Sequence, residues 1–72
     1  MTYNERIRDL RIDHDMTQAQ MAILLGTTTQ YYQKYEKGVR PLPLIHLEKI
    51  CRFFNVSADY IIGLPKGMER PR

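Results

Sequence analysis

The sequence predicts an all-α domain of five helices, and three observations carry that expectation. Apolar residues recur at spacings of three and four along several stretches. Threonines followed three residues on by Glu or Gln open two of those stretches. No strand-type alternation of apolar and polar residues breaks the pattern.

The first helix is expected from Tyr3 to His14. Thr2-Tyr3-Asn4-Glu5 has the spacing of a capping box, and Tyr3, Ile7 and Leu10 form one apolar stripe. Asp15 turns the chain, because Asp accepts a left-handed backbone better than most residues. A second capping box, Thr17-Gln18-Ala19-Gln20, starts the second helix; Met21, Ala22 and Leu25 face inward and Gly26 stops it. Thr28 is expected to cap a third helix, Thr29 to about Lys37, which ends at Gly38. So short a link containing a glycine makes the second and third helices a helix-turn-helix pair set at a steep angle. Pro43 suits the first turn of a fourth helix, whose stripe is Leu44, Leu47, Ile50, Cys51 and Phe54 and whose end is Asn55. Ser57 caps a short fifth helix, Ala58 to Ile62, closed by Gly63, with Tyr60 assigned to the core. Residues 1–64 are thus expected to form the domain and residues 65–72 a flexible tail.

A chain of 72 residues has a marginal core, burying roughly 60% of its unfolded surface. A disulfide within one chain is excluded, since Cys51 is the only cysteine. No metal or cofactor is expected: His14 and His46 are far apart, on helix faces read as exposed, with no ligand-type spacing. Catalysis is not expected either. Cys51 lies in an apolar stripe and reads as a packed small hydrophobe, and the chain is short for a substrate pocket. The lone thiol and the absence of a signal sequence point to the reducing cytoplasm. No apolar run approaches the ~20 residues of a membrane span. Eleven Lys and Arg against eight Asp and Glu give a net charge of +3, which permits an anionic partner without requiring one.

Charge placement is more informative. Between Gly26 and Pro41 the charges are Lys34, Lys37 and Arg40 against Glu36. On the third helix Tyr32, Tyr35 and Glu36 share one side, and Thr29, Gln30, Gln33, Lys34 and Lys37 share the other. That second face is all hydrogen-bonding groups with no carboxylate. A solvated helix face is also polar, but base edges in the major groove call for this particular set. Gln pairs with adenine, Lys reaches guanine O6 and N7, and the Thr methyl packs on the thymine methyl. The start of the second helix, with Gln18 beside it, offers free N–H groups to a phosphate.

The motifs Thr17-Gln18, Met21-Ala22, Leu25-Gly26 and Tyr35-Glu36-Lys37-Gly38 resemble those of the Cro/repressor-like, or XRE, helix-turn-helix family. Ile50, the Asn55-Val56-Ser57 turn and Asp59-Tyr60-Ile61-Ile62-Gly63 continue the resemblance in one register over about residues 3 to 64. It implies a five-helix, lambda-repressor-like bundle with the third helix in the major groove of a duplex operator. The base-reading positions fall on Thr28, Thr29, Gln30, Gln33 and Lys34. Phosphate contacts fall on Gln18, Lys37 and Arg40, with Tyr31 beside the reading face added to them. The family also implies an ion pair, here Arg11 with Glu36. Asp15 and Asn55 stand for the usual glycines. Tyr32 stands for a β-branched aliphatic, so its ring must displace neighbours or slide its hydroxyl toward the DNA backbone. Ile12, Ile23, Leu24 and Phe53 are apolar where the family is often polar, either as scattered surface residues or as a further partner surface.

The expected function is a sequence-specific, double-stranded DNA-binding transcriptional regulator, a repressor for preference. The alternative is an antitoxin-type regulator whose DNA binding is coupled to a partner protein. With no room for an effector domain, control must come from protein level, a partner or a competing binder. One recognition helix spans few base pairs, so a homodimer on an inverted repeat is expected. Its expected interface is Phe53, Ile61, Ile62 and Leu64.

Overall fold

The computed structural model describes residues 2–63. Five helices follow in order: α1 Tyr3–Asp13, α2 Gln18–Leu25, α3 Thr29–Lys37, α4 Leu44–Phe54 and α5 Ala58–Ile62, with no strand among the described residues. Thr2 and Thr17 each complete a capping box, with Glu5 and Gln20 returning a bond to the cap backbone. Thr28 and Ser57 cap α3 and α5 through their hydroxyls. Two boundaries shift slightly from expectation. His14 is the C-cap of α1 rather than its last residue, Pro43 precedes α4 as its N-cap, and its ring offers that helix no side-chain bond. Asp15 and Asn55 take the left-handed conformation, at φ 54° and 56°.

The helices pack as α2 on α3, α1 on α3 and α5, and α4 on α2 and α5. Ile7 and Leu10 of α1, Met21, Ala22 and Leu25 of α2, Tyr32 and Tyr35 of α3, Ile50 and Phe54 of α4 and Ile61 of α5 form one core. Each enclosed Ile, Leu or Met contributes about 1.5–3 kcal/mol, which makes helix packing the main source of stability in so small a unit. Leu47 and Cys51 are partly buried against the core, as their spacing requires. Leu44, the first residue of α4, is not: it is 79% exposed.

The phase of α5 is the reverse of that expected. Ile61 is fully enclosed, whereas Tyr60 is 50% exposed, with the Arg6 guanidinium 5.1 Å from its ring centre. A one-position rotation exchanges the two, and the aliphatic side chain fits the interior while the phenol keeps its hydroxyl in water. No helix among the described residues is long and apolar enough to cross a membrane.

Candidate nucleic-acid interface

Two anchors set the position of α3. Its N-terminus follows Gly26, whose φ of 70° closes α2 and lets the three-threonine link turn sharply. Its C-terminus ends on Gly38, at φ 75°, with the Asn4 amide donating to the Tyr35 carbonyl at 2.9 Å. A Cβ on Gly38 would lie 2.8 Å from the Asn4 amide nitrogen and disturb its bond to Tyr35, so both the backbone angle and the space favour glycine here. Beyond it, the Tyr3 hydroxyl accepts from the Leu42 N–H at 3.3 Å and ties down the loop that carries Arg40.

The inward side of α3 holds Tyr32, Tyr35 and Glu36. Arg11 donates through Nε to Glu36 Oε2 at 2.7 Å and through Nη2 to Oε1 at 3.2 Å, while its Nη1 donates to the Met16 carbonyl at 2.9 Å. The two side chains are 14% and 4% exposed. Burial pushes the Glu36 carboxyl up, but the bond from Arg11, the nearby Tyr32 hydroxyl and the bond from Gln18 outweigh it and hold it below the ordinary carboxylate value. The bond to Glu36 raises Arg11 in turn. The ion pair implied by the family resemblance is therefore present, and it neutralises the single carboxylate of this segment.

Tyr32 resolves inward. Its ring is fully enclosed, and its hydroxyl approaches Glu36 without closing a hydrogen bond of regular geometry. Burial first, and the neighbouring carboxylate second, push its pKa far above the ordinary tyrosine value. The hydroxyl is thus not available to a DNA backbone.

The outward side holds Gln30 and Lys34, both exposed, and Thr29 and Gln33, both half-buried. Thr28, exposed, accepts from the Tyr31 N–H at 3.1 Å through Oγ1 and keeps its O–H free to donate. Tyr31 is 42% exposed, with Lys34 Nζ 5.3 Å and the Arg40 guanidinium 5.1 Å from its ring centre. The aromatic ring thus joins the outward face of α3 to the loop that follows it. Among the described residues, Lys34, Lys37 and Arg40 take part in no ion pair. Gln18, the first residue of α2, donates to Glu36 Oε1 at 3.1 Å and accepts from Gln33 Nε2 at 3.1 Å. No pattern in the linear sequence marks this chain of contacts, since it depends on how α2 crosses α3.

The remaining sequence-derived sites divide. Phe53 and Ile62 are 53% and 46% exposed, as a partner surface requires. Ile61 is enclosed in its own domain and cannot contribute to an interface, and Leu64 lies outside the described residues. Phe53 lines one hollow with His14, Ile23 and Leu24; Ile62 lines another with Tyr3, Leu42 and Leu47. The two histidines are differently placed. His14 is exposed and meets Phe54 edge-on at 4.7 Å; His46 is half-buried against Tyr35 at 5.7 Å, and burial lowers its pKa. Burial raises the Cys51 thiol, which suits packing rather than nucleophilic chemistry. No cluster of three potential metal ligands occurs among the described residues.

Residues 7–61 match the helix-turn-helix family. Three relatives share much of this sequence. An HTH-type transcriptional regulator of Bacillus subtilis, YobD, is 39% identical over 62 residues, which cover 86% of this chain and 55% of that protein. The cryptic phage CTXphi transcriptional repressor RstR of Vibrio cholerae is 35% identical over 61 residues, covering 85% and 55%. The antitoxin PezA of Streptococcus pneumoniae is 34% identical over 65 residues, covering 90% and 41%. The chain thus spans about half the length of these relatives. The crystal structure of a transcriptional regulator from Listeria innocua superposes with a TM-score of 0.85 at 21% identity, covering 97% of this chain and 65% of that one, and it shares the fold.

Proposed function

The chain belongs to the Cro/repressor-type helix-turn-helix family, and from that membership we propose that it is a transcriptional repressor reading a duplex operator with α3 in the major groove. One observation carries the reading. The outward face of α3 presents Thr29, Gln30, Gln33 and Lys34, and the segment's only carboxylate, Glu36, is turned inward onto Arg11. A surface helix with no specific task has no reason to sort its charges in this way. Lys34, Lys37 and Arg40 supply the positive potential that brings the face to a polyanion.

In this reading Thr28, Thr29, Gln30, Gln33 and Lys34 meet base edges. The spare N–H of Gln18, Tyr31, Lys37 and Arg40 meet phosphates. Phosphate contacts fix the register, and base contacts choose the sequence. A second copy, related by a two-fold axis, places its α3 one helical turn away, so the operator is an inverted repeat. The exposed apolar side chains Ile62 and Phe53 are the described residues offered to that contact.

A binding selection from random duplexes tests the proposal directly. An enriched, two-fold symmetric site supports it; failure to enrich any duplex over the starting pool refutes it. The similarity to an antitoxin supports a second reading, in which DNA binding is coupled to holding a toxin. A neighbouring gene whose product forms a stoichiometric complex with this chain and is silenced by it would select that reading.

A further inference from the structure

We infer that Glu36, acting through Gln18, fixes the hydrogen-bond polarity of Gln33, so that Gln33 reads a base edge carrying an exocyclic amino donor, adenine first and cytosine second. The inference rests on the proposed role of α3 as the base reader and adds how one of its positions chooses.

Three contacts run from the core to the reading face. Arg11 holds both oxygens of Glu36, at 2.7 and 3.2 Å. Gln18 Nε2 donates to Glu36 Oε1 at 3.1 Å, and Gln33 Nε2 donates to Gln18 Oε1 at 3.1 Å. The order of these bonds follows from the chemistry of the first group. A carboxylate held on a guanidinium can only accept. The end of Gln18 that meets it must therefore be the NH2 end. That leaves the Gln18 oxygen toward Gln33, and an oxygen there requires a donor. Gln33 must answer with its own NH2. Each carboxamide is thus oriented by the one behind it, and the buried charge determines the direction of both.

What remains free on Gln33 is its Oε1 and one N–H. In the major groove adenine presents an N6 amino donor beside the N7 acceptor, which satisfies both. Cytosine presents the N4 amino donor alone. Guanine O6 and N7 and thymine O4 are acceptors: they can take the free N–H but leave the Gln33 oxygen without a donor. An unsupported glutamine could rotate its amide by half a turn and accept either pattern. Here that rotation would set Gln33 Oε1 against Gln18 Oε1 and leave two half-buried oxygens without a donor. Glu36 and Gln18 are accordingly positioning residues, and neither need touch the base that they help to choose.

The test uses the whole chain and its selected duplex, with each of the four base pairs placed in turn at every position and affinities read by fluorescence anisotropy. Gln33→Ala identifies the position that Gln33 reads. At that position the wild type should favour adenine over guanine or thymine by roughly 5- to 150-fold, the range of a good bidentate contact. Gln18→Met leaves Glu36 on Arg11 but frees Gln33 to turn over. Preference there should fall to about twofold while preferences at the other positions hold, which a general loss of structure would not produce. Gln18→Lys places donors toward both neighbours. Gln33 must then offer its oxygen inward and its NH2 outward, and the preference should move to guanine or thymine. If the methionine variant melts early, Gln18→Ala makes the same cut.

Three results would overturn the inference: guanine or thymine preferred at this position by the wild type, an unchanged preference in both Gln18 variants, or no position affected by Gln33→Ala. Each leaves α3 as a reader through Gln30 and Lys34. Failure to select any duplex would instead remove the reading on which the inference stands, so the two failures are distinct.

Discussion

Arg11 Nε stands 2.7 Å from Glu36 Oε2, in a pair whose side chains are 14% and 4% exposed, and this contact fastens the back of α3 to α1. Helix α3 has only nine residues, too few to be stable alone in water. Its geometry therefore depends on what grips it from behind. Tyr32 and Tyr35 supply apolar contact; Arg11 supplies the directional bond. Removing the guanidinium leaves a carboxylate buried with too few donors. Arg11→Ala should destabilise the fold by about 3–5 kcal/mol. In a domain of this size each kcal/mol shifts Tm by roughly 4–8 °C. Thermal unfolding followed by circular dichroism checks it, and an unchanged Tm would show that the pair adds nothing.

Acid should act on the same contact. An ordinary glutamate titrates near 4.5, and Glu36 lies below that in the folded chain. As the pH falls, the unfolded chain therefore takes up this proton first. The stability that the pair contributes is complete above about 4.5 and is lost progressively below it. In Arg11→Ala the largest lowering influence on this carboxyl is gone, so it takes up its proton at a higher pH than in the wild type and loses less stability on acidification. The variant's deficit should narrow as the solution is acidified toward that value. Paired denaturant titrations at neutral pH and at pH near 4 measure the difference; a constant or widening gap would count against this account.

Much of the fold was legible in the sequence because local signals agree with each other. The capping boxes at Thr2 and Thr17, the left-handed stops at Gly26, Gly38 and Asn55, and the inward stripe of α2 all lie where the residues place them. Errors arose where local information runs short. Helix α5 has five residues, less than two turns, so periodicity cannot fix its phase, and Tyr60 and Ile61 exchanged roles. Leu44 fits the stripe of α4 by spacing, but spacing says nothing about where along a helix the neighbouring helices stop. At the candidate site, the polar face of α3 followed from the sequence, and the Arg11–Glu36 pair followed from family resemblance. The bridge from Glu36 through Gln18 to Gln33 did not, because it joins residues 18 and 15 apart through an interhelical crossing.

Base and phosphate contacts should separate in binding assays. Gln30 and Lys34 are exposed on the outward face of α3. Gln30→Ala and Lys34→Ala should each lower discrimination between operator and random duplex by ~1–3 kcal/mol. Arg40 lies on the loop beyond Gly38, against the Tyr31 ring. Arg40→Ala should weaken every duplex alike and reduce the slope of log K against log salt by about one. Competition assays over a series of salt concentrations resolve both effects. A sequence-selective loss at Arg40, or unchanged specificity in both α3 variants, would require the roles to be reassigned.

The last prediction concerns assembly. A single α3 contacts too few base pairs to distinguish one site among a genome's competitors, and a symmetric pair doubles the site read. With Ile61 enclosed, the apolar surface that α5 still exposes is Tyr60, which carries the Arg6 guanidinium, and Ile62, which borders a hollow with Tyr3, Leu42 and Leu47. Leu42 of the loop carrying Arg40 lines that hollow, so contact there would couple pairing to the phosphate contact proposed for Arg40. Because Ile62 is already 46% exposed, Ile62→Asp should change the monomer's Tm by no more than a few degrees. A charge in the contact should nevertheless oppose pairing, since an ion at an apolar interface loses its hydration. Binding to a full inverted repeat should then weaken by tenfold or so while binding to a single half-site holds. Sedimentation with each duplex reads the stoichiometry: two chains on the inverted repeat for the wild type, and one at the same concentration for the variant. Two chains bound equally well by Ile62→Asp would place the dimer contact elsewhere, with Phe53→Asp as the next substitution to compare.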